Sequence, residues 1–330
     1  MDTMNNPEPR ICIVGAGALS SRRIYPYVGL AGGRIVGACD LDRHKAETNA
    51  RRFAGTAYTQ MEAMLNAEKP DGVIICIGPE AHAALAPVVM RRGIPVYTEK
   101  PPAPSAAAAL EVARVSKHTG VLCTTAFKKR YSAVYAKARE WVESFPPSDL
   151  YSISVDYCSG AYADDPPSKT FLLDFAVHCI DLVQYLFGDV HEVYACAKGR
   201  HAYAVSLRFR SGAVGSMNLN DGRCFHIPTE ELELTARGGN SISISNSSSY
   251  RIVRNGKESE WRLPPTFTSA GDSGNDTGHL AELADFLAAL KEGRSTRSCI
   301  YESYKSMALY EAIDESSRAG KPVRVEYEDV

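Results

Sequence analysis

"RICIVGAGALS", residues 10–20, decides the fold. Four apolar residues, Ile11 to Val14, run straight into Gly15, Ala16 and Gly17. A run with no polar alternation reads as a strand buried on both faces. Gly15 permits a tight turn at the strand's end. Gly17 lets an anionic pyrophosphate approach the backbone where a helix opens. Ser20 stands where the usual third glycine of that fingerprint would be. Two glycines suit a plain strand–helix turn equally well, so the neighbouring segments carry the decision.

Four more apolar runs follow: "RIVGACD" (34–40), "GVIICIGP" (72–79), "IPVYTEK" (94–100) and "GVLCTTA" (120–126). Between them, "LDRHKAETNARRFA" (41–54) and "PSAAAALEVARVSKHTG" (104–120) read as helices; the second opens on Pro104 and Ser105 and stops at Gly120. Strands alternating with helices predict a doubly wound parallel sheet. Asp40 ends the second strand 25 residues after Gly15. A carboxylate there accepts hydrogen bonds from an adenosine ribose diol and repels a 2′-phosphate. This points to a dinucleotide, with NAD favoured over NADP; Arg43 moderates the preference.

The fourth run ends on Glu99 and Lys100, followed by Pro101 and Pro102. Proline restricts the residue before it to extended conformations, so the lysine backbone is held. A surface ion pair is the plain reading of the two charges. The sharper one is an ammonium fixed beside a nicotinamide, ready to hydrogen-bond a carbinol or carbonyl oxygen.

From about residue 124 the pattern changes to short alternating segments, among them "LYSISVDY", "YAVSLRFRSG", "EELELTARG" and "SISISNS". These predict a mostly antiparallel open sheet. The expected organisation is a Rossmann domain over 1–124, with 1–9 a flexible tail, and an α+β domain over 125–330. In "FLLDFAVHCID", Asp174, His178 and Asp181 are spaced i, i+4 and i+7, one face of a helix. A histidine satisfied within a core by a carboxylate one turn away explains the spacing. So does a proton-transfer site in which the carboxylate raises the basicity of the ring. No further His/Cys cluster completes a metal site, so none is predicted.

With these elements in hand, the chain resembles the glucose-fructose oxidoreductase, inositol dehydrogenase and MocA (Gfo/Idh/MocA) family. "GAGALS", Asp40, "VIICIGPEAH", "TEKP" and "FLLDFAVHCIDLVQYLFGDV" carry the resemblance, which extends through "HLAELADFLAALKEGR" and "SRAGKPVRV". The resemblance implies cofactor contacts at Gly15, Gly17, Ala18, Leu19, Asp40, Gly78, His82, Glu99 and Lys100, with His82 on the loop after its strand. It implies catalysis by Lys100, His178 and Asp174: the lysine polarises the substrate oxygen, the histidine exchanges its proton and Asp174 orients the histidine. Asp181 is structural or a secondary contact. Arg130 and Tyr131, at the start of the second domain, are substrate candidates, as are Lys169 and Thr170, which with Tyr157 and Tyr162 are expected to line the substrate loop. A homodimer or homotetramer through the C-terminal sheet is also implied. "IGPEAH" and "SKTFLLD" depart from the common pattern at the cofactor and substrate loops.

Bulk properties are compatible with this. The 330 residues are 45% hydrophobic and 23% charged, with net charge -2 and no basic block, which argues against nucleic acid and anionic membranes as partners. Nine scattered cysteines without a C-x-x-C pair read as reduced thiols of a cytoplasmic protein. The expected activity is hydride transfer between a sugar, sugar derivative or cyclitol and NAD. The alternatives are an NAD-dependent glycosidase using the same residues, and a non-catalytic NAD-binding regulator.

Overall fold

The computed structural model describes residues 8–160, 170–224, 229–264 and 277–330. It forms two compact units. The first is the chain up to Ala126 with His279–Tyr304 and Val330; the second is Phe127–Gly278 with Lys305–Asp329.

The first unit holds strands β1 (Arg10–Val14), β2 (Arg34–Cys39), β3 (Thr56–Tyr58), β4 (Gly72–Ile75), β5 (Val96–Thr98) and β6 (Cys123–Thr125). Its helices are α1 (Tyr25–Leu30), α2 (Arg43–Phe53), α3 (Met61–Glu68), α4 (Pro79–Met90) and α5 (Ala106–Thr119). The strands form one parallel sheet in the order β3-β2-β1-β4-β5-β6. All five apolar runs are strands; the three-residue edge strand β3 carries no run long enough to announce itself. Caps fix the helix starts: Asp42 accepts the His44 amide at 3.0 Å, and Ser105 accepts the Ala108 amide at 3.1 Å. One face of the sheet buries Ile11, Ile13, Ile74 and Tyr97 with Tyr25 and Val28. The other buries Cys12, Val14, Val73 and Val96 with Met64, Val89 and Val112.

The strand order reverses between β1 and β4, the position where open α/β sheets bind ligands. Register sets out the carboxyl edge. Val14 pairs with Cys39 and Ile75, and Ile75 pairs with Thr98. The next residues along the edge are therefore Asp40, Gly15, Cys76 and Glu99, in spatial order.

The second unit begins with a 3₁₀ turn, Lys128–Tyr131, and α6 (Ala133–Glu143). Strand β7 (Leu150–Cys158) follows, then a π turn, Phe171–Ala176, running into α7 (Val177–Phe187). Strands β8 (Val190–Lys198), β9 (Ala202–Phe209), β10 (Val214–Asn220), β11 (Thr229–Ala236), β12 (Asn240–Ser245), β13 (Ser249–Arg254) and β14 (Lys257–Arg262) come next. With β15 (Val323–Arg324) they make a nine-stranded sheet in the order β14-β13-β12-β11-β7-β10-β9-β8-β15, antiparallel except for β7 beside β10. Ile153, Leu234, Ile242 and Ile252 lie on the covered face with α6 and α7. On the open face one row of paired residues runs Trp261, Arg251, Ser243, Glu233, Ser154, Ser216, Ser206 and Tyr194.

The partition is finer than one boundary at 124. Helix α8 (His279–Glu292) lies in the first unit, where Leu283, Phe286 and Leu287 are essentially inaccessible and Phe286 packs on Tyr97 at 5.6 Å. At roughly 1.5–3 kcal/mol per buried side chain, that stripe fixes α8 to the parallel sheet. Helix α9 (Ile300–Ala319) gives Ile300 to the first unit's core and Leu309 and Ile313 to the second's. Among the described residues, no helix is long and apolar enough to cross a membrane.

Candidate active site

The glycine turn has the shape a dinucleotide requires. Gly15 has φ +103°, and an added Cβ would lie 2.1 Å from the Cys76 carbonyl oxygen. Only glycine fits there. At Gly17 an added Cβ would meet no atom within 4 Å, so the backbone faces open space where the helix begins. Gly17, Ala18 and Leu19 are exposed and offer first-turn amides. Ser20 is fully buried; its hydroxyl donates to the Gly17 carbonyl at 3.1 Å, and the helix opens as a π turn over Ser20–Ile24 that accommodates this side chain. Asp40 binds back to the same turn: Oδ2 accepts the Ala16 amide at 2.7 Å and Oδ1 the Asp42 amide at 2.9 Å. Leu19, Leu41 and Ile77 are exposed apolar side chains along this edge, an unusual placement that suits a planar base. These residues fit NAD. When bound, NAD supplies the hydride acceptor, and the protein supplies its orientation.

Three strands along the edge from β2, Glu99 and Lys100 directly follow β5. The Glu99 amide donates to the Ile75 carbonyl at 2.9 Å, and the buried Glu99 carboxylate accepts the Lys100 amide at 3.2 Å. The Lys100–Pro101 peptide bond is cis. Tyr97 anchors the strand from beneath, donating to Glu282 at 2.8 Å within the core. Glu99 thus holds the lysine by its backbone amide. His82 departs from the sequence expectation. It lies in the first turn of α4 rather than on a loop, its ring is fully buried, and both ring nitrogens are engaged, by the Pro101 carbonyl and the Ile77 amide. Gly78 is the residue before α4.

In the second unit, Thr170 caps the π turn. Its hydroxyl accepts the Leu173 amide at 3.2 Å, and its own amide donates to Asp174 Oδ2 at 2.8 Å. This reciprocal pair is a capping box lengthened by one residue to fit the wider turn. His178 follows in the first turn of α7, 8% exposed, its ring edge-on to Phe127 at 6.2 Å. Asp181 points elsewhere. It is fully buried and takes both Arg130 Nε at 2.9 Å and an Arg130 terminal nitrogen at 2.7 Å, with Ser306 donating at 2.8 Å. Arg130 is 1% exposed and also lies over the Tyr185 ring at 4.9 Å.

Two substrate candidates have partners within the second unit: the Arg130 guanidinium donates to Asp181 in the interior, and the Thr170 hydroxyl accepts at the helix start. Tyr131 is buried in the same 3₁₀ turn as Arg130. Lys169 and Tyr162 lie outside the described residues. Sequence reading passed over Lys129. Its buried ammonium pairs with Glu230, which also accepts from Tyr135 and, at 2.5 Å, from Ser247. Burial works against the Glu230 charge, yet the Lys129 ammonium and these donors hold its carboxyl below the ordinary glutamate range. Lys129 also lies 5.1 Å over Tyr157, which stacks on Phe175 beside Asp174. Among the described residues, no group of three or more His, Cys, Asp and Glu side chains forms a metal site.

The oxidoreductase family's NAD-binding Rossmann fold matches residues 9–127, and its C-terminal alpha/beta domain matches residues 162–325. The inositol 2-dehydrogenase of Acidothermus cellulolyticus is 25% identical over 340 residues, covering 95% of this chain and 94% of its own. The D-apiose dehydrogenase of Paraburkholderia graminis is 22% identical over 337 residues, covering 95% and 88%. A solved oxidoreductase from Agrobacterium radiobacter, in complex with NAD+, L-tartaric acid and magnesium, has the same fold at a TM-score of 0.85, with 17% identity over 97% of this chain and 99% of that one. With family matches over both parts of the chain, the chain belongs to the Gfo/Idh/MocA oxidoreductase family as an NAD-binding dehydrogenase.

Proposed function

We propose that this protein oxidises a carbinol of a sugar, sugar derivative or cyclitol with NAD. The observation that carries the proposal is Lys100. It lies just past the end of β5, three strands along from Asp40 on the cofactor edge, and Glu99 holds its backbone. An ammonium in that position donates to the substrate oxygen and favours the negative charge that builds on it as the hydrogen leaves. His178 takes the hydroxyl proton as general base, and Asp174 supports it from the preceding turn. The relatives named for inositol and apiose support a polyol as substrate. In the assay, NADH absorbance is followed with NAD and a panel of inositols, aldoses and uronates. Lys100→Met is expected to lose turnover by at least about a hundredfold while binding NADH with near-normal affinity. Undiminished turnover in Lys100→Met would sink the proposal.

Self-association through the open face of the nine-stranded sheet belongs to the same reading. Exposed Tyr151, Tyr194, Val214 and Trp261 give that face apolar footholds among its serines. Light scattering is expected to report a dimer or tetramer.

A further inference from the structure

His82 is the residue whose burial and bonding the proposed chemistry leaves unexplained. Its Nδ1 lies 2.8 Å from the Pro101 carbonyl oxygen, which can only accept, so the ring proton sits on Nδ1. Nε2 is then an acceptor, and it takes the Ile77 amide at 3.2 Å. Ile77 and Pro101 stand on the turns after two adjacent strands, β4 and β5. The Ile77 side chain is exposed beside the glycine turn, and Pro101 directly follows Lys100. One imidazole therefore joins the turn that meets the dinucleotide to the turn that carries the lysine. A charged ring would set a second N–H against the Ile77 amide. Burial is the main force against that charge and holds the ring's pKa down to about 4; the Pro101 carbonyl and Glu80 oppose the shift, and the Lys100 ammonium adds to it.

We propose that His82 is a positioning residue with two separable tasks: Nε2 sets the Ile77–Gly78 turn against the dinucleotide, and Nδ1–H sets the Pro101 carbonyl and with it Lys100. The inference rests on the proposed role of Lys100. The two nitrogens are testable one at a time. His82→Asn keeps an N–H near the Nδ1 position and loses the acceptor for Ile77. His82→Gln carries an acceptor to the Nε2 position and leaves Pro101 without its donor.

The full chain is used, with lysines ¹³C-methylated for NMR and NADH as the probe; Lys100→Met assigns the Lys100 signal. His82→Asn is expected to weaken NADH roughly fivefold, the loss of one ordinary hydrogen bond, and to leave the Lys100 signal in place. His82→Gln is expected to bind NADH like the wild type and to move the Lys100 signal toward that of a free surface lysine. Equal effects of both variants on both readouts, or none, would overturn the proposal. A Lys100 signal that moves in His82→Gln but ignores NADH in the wild type would keep the brace and overturn the role of Lys100 at the cofactor. In the wild type, ¹⁵N shifts are expected to show a neutral ring protonated on Nδ1 at pH 7. A ring protonated on Nε2, or charged at that pH, overturns the proposal without any variant.

Discussion

At Gly15 and Gly17 one added methyl group does two different things. At Gly15 it meets a backbone carbonyl at 2.1 Å, in a φ of +103° that L-residues rarely adopt. Strain of that backbone alone costs about 1–3 kcal/mol, and the overlap adds to it. Gly15→Ala is expected to lower the melting temperature sharply and to abolish NADH binding. At Gly17 the same methyl meets no protein atom within 4 Å. Gly17→Ala is expected to melt within a degree or so of the wild type, as exposed substitutions do. Its NADH affinity should still fall, because the methyl occupies the approach that the pyrophosphate needs. Thermal unfolding and NADH fluorescence separate the two cases. Normal NADH binding in Gly17→Ala would remove the pyrophosphate from this turn.

The two elements around His178 show how far a sequence can be read. A period of 3.6 puts Asp174, His178 and Asp181 on one helix face; α7 holds His178 and Asp181, but Asp174 lies in the π turn before it and Asp181 turns to Arg130. The π turn over Phe171–Ala176 is not signalled by that period; it goes with the reciprocal cap between Thr170 and Asp174. Arg130's partner was equally hidden, since it lies 51 residues away and only folding brings it to Asp181. The cofactor half was more legible. Its glycines, Asp40 and Glu-Lys-Pro each sit at a strand end, and local sequence sets strand ends. The place of α8 was not legible, because an apolar stripe on a helix does not say which sheet it will cover. Asp181 carries the prediction at this scale. Asp181→Asn keeps the volume but leaves the Arg130 guanidinium buried without its counter-charge. Breaking a buried pair in this way costs about 3–5 kcal/mol. Urea unfolding should show that loss; a change under about 1 kcal/mol would mean that the pair is not what fixes α7 to the 3₁₀ turn.

For the whole molecule, the cofactor is part of the stability. A ligand that binds only the folded state adds RT ln(1 + [L]/Kd), about 2.7 kcal/mol at a hundred times Kd. That is a large share of a marginal total of about 5–15 kcal/mol, so the melting temperature reports which dinucleotide fits. Asp40 is the residue we propose for that choice. Both of its oxygens already accept backbone amides, from Ala16 and Asp42, so the carboxylate is fixed at the edge and cannot swing away from a 2′-phosphate. Arg43, three residues further on, is turned along α2 to Glu47 at 2.8 Å, although that exposed pair is weak. NADH is therefore expected to raise the melting temperature by several degrees at a concentration where NADPH barely moves it. Asp40→Ser removes the charge and keeps an acceptor, so it should narrow the gap chiefly by admitting NADPH. Equal shifts from the two dinucleotides in the wild type would mean that Asp40 does not discriminate, because the Arg43 guanidinium lets go of Glu47 to meet the phosphate, and the double variant Asp40→Ser with Arg43→Ala would then lose the NADPH shift that Asp40→Ser alone keeps.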